Sequence, residues 1–463
     1  MKVCFVIYDN DSYIHWFPQG IAYLAAVLRE AGHDITIYNQ DVYHYPEPHL
    51  TDYLTNNCFD VVGVGVIGGY YQYRKLLKIS DAITKVEDRP RYIIGGHGPS
   101  PEPEYFLKKT GADAVVIGEG EISTPNLLSA FETGDDLRNV KGIGFMDENG
   151  ECVVTDRQPL IQDLDTIPFP AYDLFPIDYY SLLRMPHINN SDRCLPIISS
   201  RGCPYRCNFC YRMDEGIRLR SPENVVQEMR LLHEDYGITY FAFADELTMV
   251  SPQRTKDLCN AFIESGLDIR WDCNGRLNFA KPEILDLMKK AGCVFINYGI
   301  ESYDDASLKK MNKNLTVEQI TVGIENTLEA GISPGFNIIW GNIDEDEKVL
   351  EKGVQFLLKY DDHSQMRTIR PVTPYPGSDL YNYAIERGLL KDVEDFYENK
   401  HTNSDLLAVN FTPLSDDEFY QYLFEANRKL LENYFDHLKE KMIETARILY
   451  LERDETFRGF RTT

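Results

Sequence analysis

The run RGCPYRCNFCYR carries Cys203, Cys207 and Cys210 in CxxxCxxC spacing. Three thiolates on one short loop can hold three irons of a cubane iron–sulfur cluster, where four cysteines are usual. The fourth iron then has no protein ligand, and an open metal position is where a substrate or cofactor binds. Two other readings compete. Zinc usually wants four ligands in paired CxxC-type spacing, and the three thiols could also be buried packing residues. The other seven cysteines, Cys4, Cys58, Cys152, Cys194, Cys259, Cys273 and Cys293, fall mostly in apolar stretches and read as packing. Cys273 and Cys293 are the two that could face a barrel interior.

With Gly202 and Pro204 flanking the first cysteine and Phe209 before the last, the loop resembles the signature of the radical S-adenosylmethionine (SAM) superfamily. The resemblance implies a 4Fe–4S cluster on Cys203, Cys207 and Cys210, which are then both metal ligands and the catalytic centre. It also implies that SAM chelates the open iron and is cleaved reductively to a 5′-deoxyadenosyl radical, with Phe209 among its contacts.

The 463 residues suggest about three domains. With 73 acidic against 47 basic residues the net charge is −26. Such a chain is a poor partner for nucleic acid or an anionic membrane. The start, MKVCFVIYDNDS, reads as a strand and turn, not as a signal peptide. No uninterrupted apolar stretch approaches the roughly 18 residues a membrane helix needs. Ten cysteines in this length do not suggest a disulfide scaffold, so a cytoplasmic location is expected.

The elements that must position the loop are of α/β type. Residues 1–140 alternate apolar strands (3–8, 34–39, 60–67, 91–96, 112–121) with helices such as 20–32, which predicts a doubly wound, Rossmann-like parallel sheet. Residues 141–192 are rich in Pro, Asp and aromatics from 164 to 180 and read as an ordered linker anchored on both neighbours. A second series begins at 194, with strands at 194–200, 238–245, 268–275, 293–300, 334–341 and 366–373. Ser221-Pro222 and Ser251-Pro252 read as helix starts, and Thr316 with Gln319 as a capping box. Gly237, Gly266, Gly292 and Gly331 read as helix ends. Six strand–helix units predict a partial (βα)6 TIM-type barrel over 193–385, with its site at the C-terminal strand ends where the cysteine loop lies. Residues 386–463 read as a C-terminal helical cap, amphipathic over 415–452.

The polar residues that end the barrel strands are the candidate SAM contacts: Asp245, Glu246, Arg276, Asn278, Glu301 and Ser302. Carboxylates suit ribose hydroxyls and an ammonium group, and an arginine suits the SAM carboxylate. The alternative for each is an ordinary loop salt bridge. GIES (299–302), GFNIIWGNIDED (335–346), which contains Gly341, and TPYPGSDLY (373–381) resemble recurring segments of the same family. Arg201, Arg206, Arg212, Arg218 and Arg220 crowd the loop, either to receive an acidic flavodoxin- or ferredoxin-type electron donor or simply to pair with Asp214 and Glu215.

Gly63, Gly65 and Gly68 spell GxGxxG after a strand, a weak dinucleotide signal because it follows the third strand and bulky aromatics come next. As a whole, residues 1–140 resemble the cobalamin-binding domain that precedes many radical SAM enzymes, through PQGIAYLAAVLREAGHDITIYNQD (18–41), GGHGPSPEPE (95–104) and GEGE (118–121). The resemblance implies cobalamin contacts from His15, Phe17, Gly20, Gly65, Val66, Ile67, Gly68, Gly95, Gly96, His97, Gly118 and Glu119. The DxHxxG motif of other cobalamin domains, aligned on Gly20, puts Phe17 at the histidine position, so base-off cobalamin without a histidine ligand is expected. The implied function is a cobalamin-dependent radical SAM enzyme that methylates an unactivated carbon of a small-molecule or natural-product substrate. The alternatives are radical cyclisation, oxidation or rearrangement with cobalamin but without methyl transfer and, from another class, a non-catalytic cobalamin or SAM sensor. A tRNA methylthiotransferase fits neither the acidic charge nor the N-terminal domain.

Overall fold

The computed structural model describes residues 1–463 except 12–15, 186, 454 and 457–463. The N-terminal sheet contains β1 (Lys2–Ile7), β2 (Asp34–Asn39), β3 (Val61–Gly65), β4 (Arg91–Gly95) and β5 (Ala114–Val116), all parallel, in the order β2-β1-β3-β4-β5. Alternate residues of its apolar strands enter different cores. Val3 and Phe5 pack with Ala22, Ala25 and Leu127 on one face. Cys4 and Val6 pack with Leu50, Leu76 and Phe106 on the other. Helices thus cover both faces, as strands this apolar require. The fifth strand is shorter than expected, because residues after Ile117 turn into the helix Gly120–Thr133.

The linker expectation needs a correction. β6 (Ile143–Met146) and β7 (Cys152–Val154) continue the sheet antiparallel beyond β5, so part of 141–192 belongs to the first domain. Asn149 and Gly150 make the hairpin turn, with Gly150 at φ +76. The aromatic part does bridge. Phe17 stacks on Tyr172 at 5.3 Å and meets Phe175 and Tyr180 edge-on. Tyr172 donates to Glu228 at 2.6 Å, and Glu228 also binds Arg220, all of them buried. Further on, His187 stacks on Phe295 with ring centroids 4.1 Å apart and meets Asp272 at 3.2 Å, so the linker closes the bottom of the next domain.

That domain is a curled sheet of six parallel strands in the order β15-β14-β13-β12-β11-β8. They are β8 (Cys194–Ile197), β11 (Tyr240–Phe243), β12 (Arg270–Gly275), β13 (Cys293–Glu301), β14 (Ser333–Trp340) and β15 (Arg370–Pro371). Ser221, Ser251 and Thr316 cap the following helices as their sequence signatures require. Sequence did not reveal a two-stranded ribbon outside the barrel sheet, β9 (Ser200–Cys203) against β10 (Gly216–Leu219). Strand alternation decides which residues face the helices. Trp271, Cys273, Ile296, Tyr298 and Ile338 enter the helix-covered core, and Cys293 and Cys259 are buried in it. Cys273 and Cys293 therefore do not face the barrel interior.

Residues beyond the barrel act on both domains. Leu380, Tyr381, Phe396 and Tyr397 join the core under the second face of the N-terminal sheet. The long helix Asp416–Arg447 lies on the barrel, with Phe419 stacked on Trp340 at 4.1 Å. His401 is fully buried between Phe396 and Tyr375, and neither ring nitrogen has a partner. Burial lowers its pKa from 6.5 to about 4. The unfolded chain takes up a proton below about pH 6.5 that the folded chain refuses. Stability is therefore full above that pH and falls as the pH drops toward 4, by about 3 kcal/mol from this residue alone. His401→Phe should flatten that part of the profile in urea unfolding at pH 5 and pH 7, and an unchanged slope would refute this account.

Candidate active site at the domain junction

Cys203 ends β9, where its backbone faces Gly216. Gly202 has φ +86, and a Cβ there would lie 2.6 Å from the Gly216 carbonyl, so only glycine lets the ribbon close. The loop that follows is held by backbone and amide bonds from several directions. Asn208 donates its N–H to the Met311 carbonyl at 3.0 Å and accepts from Leu380 N–H at 2.8 Å. Its side chain exchanges hydrogen bonds with Asn342 at 3.1 Å, and Asn312 donates to the Arg206 carbonyl at 2.7 Å. Cys210 N–H donates to the Cys207 carbonyl at 3.2 Å, folding the two cysteines onto one turn.

Two cations stand beside the thiols. Arg276 lies 3.5 Å over the Tyr205 ring and donates to the Lys313 and Asn314 carbonyls. Lys313, buried, binds Glu301 at 3.0 Å. Desolvation raises the pKa of all three thiols, while Arg276 and Lys313 pull Cys203 and Cys207 back toward thiolate. Sequence reading missed Lys313, and the dense polar run KMNKN at 310–314 was the available signal. Among the described residues, no three His, Cys, Asp or Glu side chains already converge on one ion position. The donor set itself, three thiols beside two cations, suits an anionic iron–sulfur cluster.

The expected SAM contacts separate into two groups. Glu301 adopts φ +67, a strained value for a residue with a side chain, and sits next to Ser302, whose buried hydroxyl has no partner. Arg276 Nε and Asn278 Oδ1 are likewise buried and unpartnered. These orphaned polar atoms suit a polar cofactor such as SAM. The second group has other contacts, with Asp245 and Glu246 lining the cavity described next. Asp245 is buried and accepts from Ser199 N–H and Oγ at 2.6 Å and from Ser200 N–H at 3.0 Å. Gly341 gives Phe419 room, since a Cβ would lie 2.8 Å from that ring. Phe209 packs on the core under the N-terminal sheet. Burial and nearby Asp214 raise the pKa of Glu246.

A cavity of about 1000 Å³ lies between the two domains. Tyr8, Val66 and Gly96 line it from the N-terminal sheet, and Ser200, Gly202 and Glu246 from the barrel side. It opens at the carboxyl ends of β1 and β3, where the strand order reverses and ligands of such sheets bind. Its floor is a glycine cradle. Gly96 has φ +104, and a Cβ there would lie 2.4 Å from the Val66 carbonyl. Phe17, Gly20, Gly65, Ile67, Gly95, His97, Gly118 and Glu119 also line the cavity. Gly68 is absent from that lining and lies 3.6 Å from the Tyr397 hydroxyl, measured from an added Cβ. His15 falls outside the described residues. The size and the backbone-lined floor suit a large flat group such as a corrinoid.

The arginines differ from a free docking patch. Arg218 binds Glu119 through two bonds of 2.6 and 2.9 Å, and Arg201 binds Glu121 at 2.6 Å and Glu119 at 3.2 Å. Arg220 is buried against Glu228. Only Arg206 is exposed, and it pairs with Glu215 at 2.9 Å. Three of the five are thus internal: the N-terminal domain brings distant carboxylates to Arg201 and Arg218, and Glu228, eight residues along the chain, holds Arg220.

A parallel sheet with a ligand-sized cavity at its switch point, joined to a half-barrel carrying a three-cysteine loop, defines a two-cofactor α/β enzyme. The radical SAM superfamily model matches residues 197–357, and the B12 binding domain model matches residues 8–128. The chain is 31% identical over 402 residues to the uncharacterized methyltransferase PH0819 of Pyrococcus horikoshii, covering 84% of each. It is 27% identical over 469 residues to the anaerobic magnesium-protoporphyrin IX monomethyl ester cyclase of Rubrivivax gelatinosus, covering 94% of this chain and 82% of that one. The solved radical SAM methyltransferase TsrM from Kitasatospora setae, with cobalamin and a 4Fe–4S cluster bound, superposes with a TM-score of 0.73 at 18% identity, over 93% of this chain and 88% of that one, a likeness of fold. The chain belongs to the cobalamin-binding-domain-containing radical SAM enzymes.

Proposed function

We propose that this protein is a cobalamin-dependent radical SAM C-methyltransferase acting on a small molecule. The observation that carries the reading is one cavity bounded by the glycine-lined strand ends of the N-terminal sheet and by the ribbon that bears Cys203. When bound, the cluster and SAM supply the radical that activates a carbon, and cobalamin supplies the methyl-transfer chemistry. Cys203, Cys207 and Cys210 would hold the cluster, and Arg276, Asn278, Glu301 and Ser302 would bind SAM polar groups. Lys313 keeps Glu301 in place and adds positive charge beside the thiols. Base-off cobalamin without a histidine ligand is supported by Phe17, whose ring is buried among Tyr172, Phe175 and Tyr180. A flavodoxin- or ferredoxin-type donor remains the reductant of this reading, and it would meet Arg206 rather than a five-arginine patch. No helix among the described residues is long and apolar enough to cross a membrane.

Anaerobic reconstitution with iron, sulfide and hydroxocobalamin tests the reading. It should give about four iron per chain and cobalt that survives gel filtration, and absence of cobalt at saturating hydroxocobalamin overturns it. The cyclase relative favours a second reading. Under reducing conditions with SAM, methyl transfer releases S-adenosylhomocysteine, whereas cyclisation without methyl transfer gives 5′-deoxyadenosine alone.

A further inference from the structure

We infer that Arg201 and Arg218 are positioning residues that fix the iron–sulfur loop relative to the cobalamin cavity. The inference rests on the two-cofactor reading above. The two arginines face each other across the ribbon as direct cross-strand partners, Arg201 opposite Arg218. Like charges in that position repel. The repulsion is removed by two carboxylates of the other domain, Glu119 and Glu121, at the start of the helix Gly120–Thr133. All four side chains are 15% exposed or less, and the group is charge-neutral. Arg218 also donates to the Ile161 carbonyl at 2.8 Å, which ties in the linker.

The lever arm is short on both sides. Cys203 lies two residues beyond Arg201 on the same strand. Gly118 and Gly120, which flank Glu119, line the cavity. A bidentate arginine–carboxylate contact specifies orientation as well as distance, so the ribbon cannot slide or tilt without breaking it. All four residues also line the cavity, but the contact that matters here is the one they make with each other. They set where one cofactor site stands relative to the other.

The readout is the magnetic interaction between cob(II)alamin and the reduced cluster in the reconstituted full chain, measured by electron paramagnetic resonance. Removing a single partner would strand a buried charge, so the variant is the double Glu119→Leu/Arg218→Met, which leaves neither charge unpaired. The single change Arg218→Lys keeps the charge but loses the bidentate geometry. Expected are wild-type iron content in both variants and, read on the cobalt-loaded fraction because Glu119 and Arg218 also line the cavity, loss of the single defined coupling in the double variant and a shifted or broadened coupling in Arg218→Lys. Wild-type coupling in the double variant overturns the inference. Failure of the wild-type chain to load cobalt or iron would instead overturn the two-cofactor reading, so the two failures are distinguishable.

Discussion

Cys207→Ala should abolish reductive SAM cleavage while leaving the protein folded. The thiol it removes is one of only three on the loop, so the cluster loses a third of its protein ligands and retains no spare. The loop itself survives, because its anchors are backbone and amide bonds through Asn208, Asn312 and Asn342 and not the sulfur. The Cys207 carbonyl still accepts from residue 210 in the variant. Expected are loss of the cluster's visible absorbance after reconstitution, 5′-deoxyadenosine formation at the level of iron-free protein, and unfolding free energy within about 1 kcal/mol of wild type. Cys273→Ala is the control. That thiol is buried in the helix-facing core, so the change should cost about 1 kcal/mol of stability and leave the cluster intact. Wild-type SAM cleavage by Cys207→Ala would sink the assignment of the loop.

Gly96→Ala should cost more stability than the other cavity glycines and remove cobalamin binding. Two effects add. The φ of +104 is foreign to an L-residue, a strain of about 1–2 kcal/mol. The new methyl would also stand 2.4 Å from the Val66 carbonyl oxygen, a backbone atom that cannot rotate away. Val66 is pinned on both sides, donating to the Gly95 carbonyl at 2.8 Å and accepting from Gly98 N–H at 3.2 Å. Relief therefore requires the ends of β3 and β4 to part, which deforms the cavity floor. The expected loss is about 2–4 kcal/mol in urea unfolding, with no saturable hydroxocobalamin binding. At Gly65 the nearest atom to an added Cβ is the terminal methyl of Ile21 at 3.0 Å, which can turn aside. Gly65→Ala should thus cost under about 1 kcal/mol. If Gly96→Ala matches wild type in both measurements, the cradle is not what holds the ligand.

Much of the architecture could be read from local chemistry. Ser221, Ser251 and Thr316 announce helix starts because a side-chain oxygen satisfies N–H groups only a few residues away. Apolar runs such as VCFVI and DVVGVGV announce doubly covered strands because both faces must be dry. The β9–β10 ribbon was not readable. Its residues, SRGC and GIRL, show no alternation, and pairing is forced instead by Gly202 and by the arginine–glutamate contacts. The hairpin of β6 and β7 was equally hidden, because strands this short carry too little pattern, whereas the strand expected over 366–373 is present but pairs over only the two residues of β15.

The sequence by itself determined the donor set. Three thiols within eight residues need no tertiary contact to be a ligand loop, since their spacing is covalent. It also determined the two α/β units, since hydrophobic periodicity is local. Only the tertiary structure decided what each polar residue does, because burial and partner identity depend on segments far apart in the chain. Asp245 accepts from Ser199 while lining the cavity, Gly341 makes room for Phe419, and three loop arginines pair with Glu119, Glu121 and Glu228. Arg276, Glu301 and Ser302 remain at the cluster loop with a neighbour, Lys313, that no spacing rule pointed to.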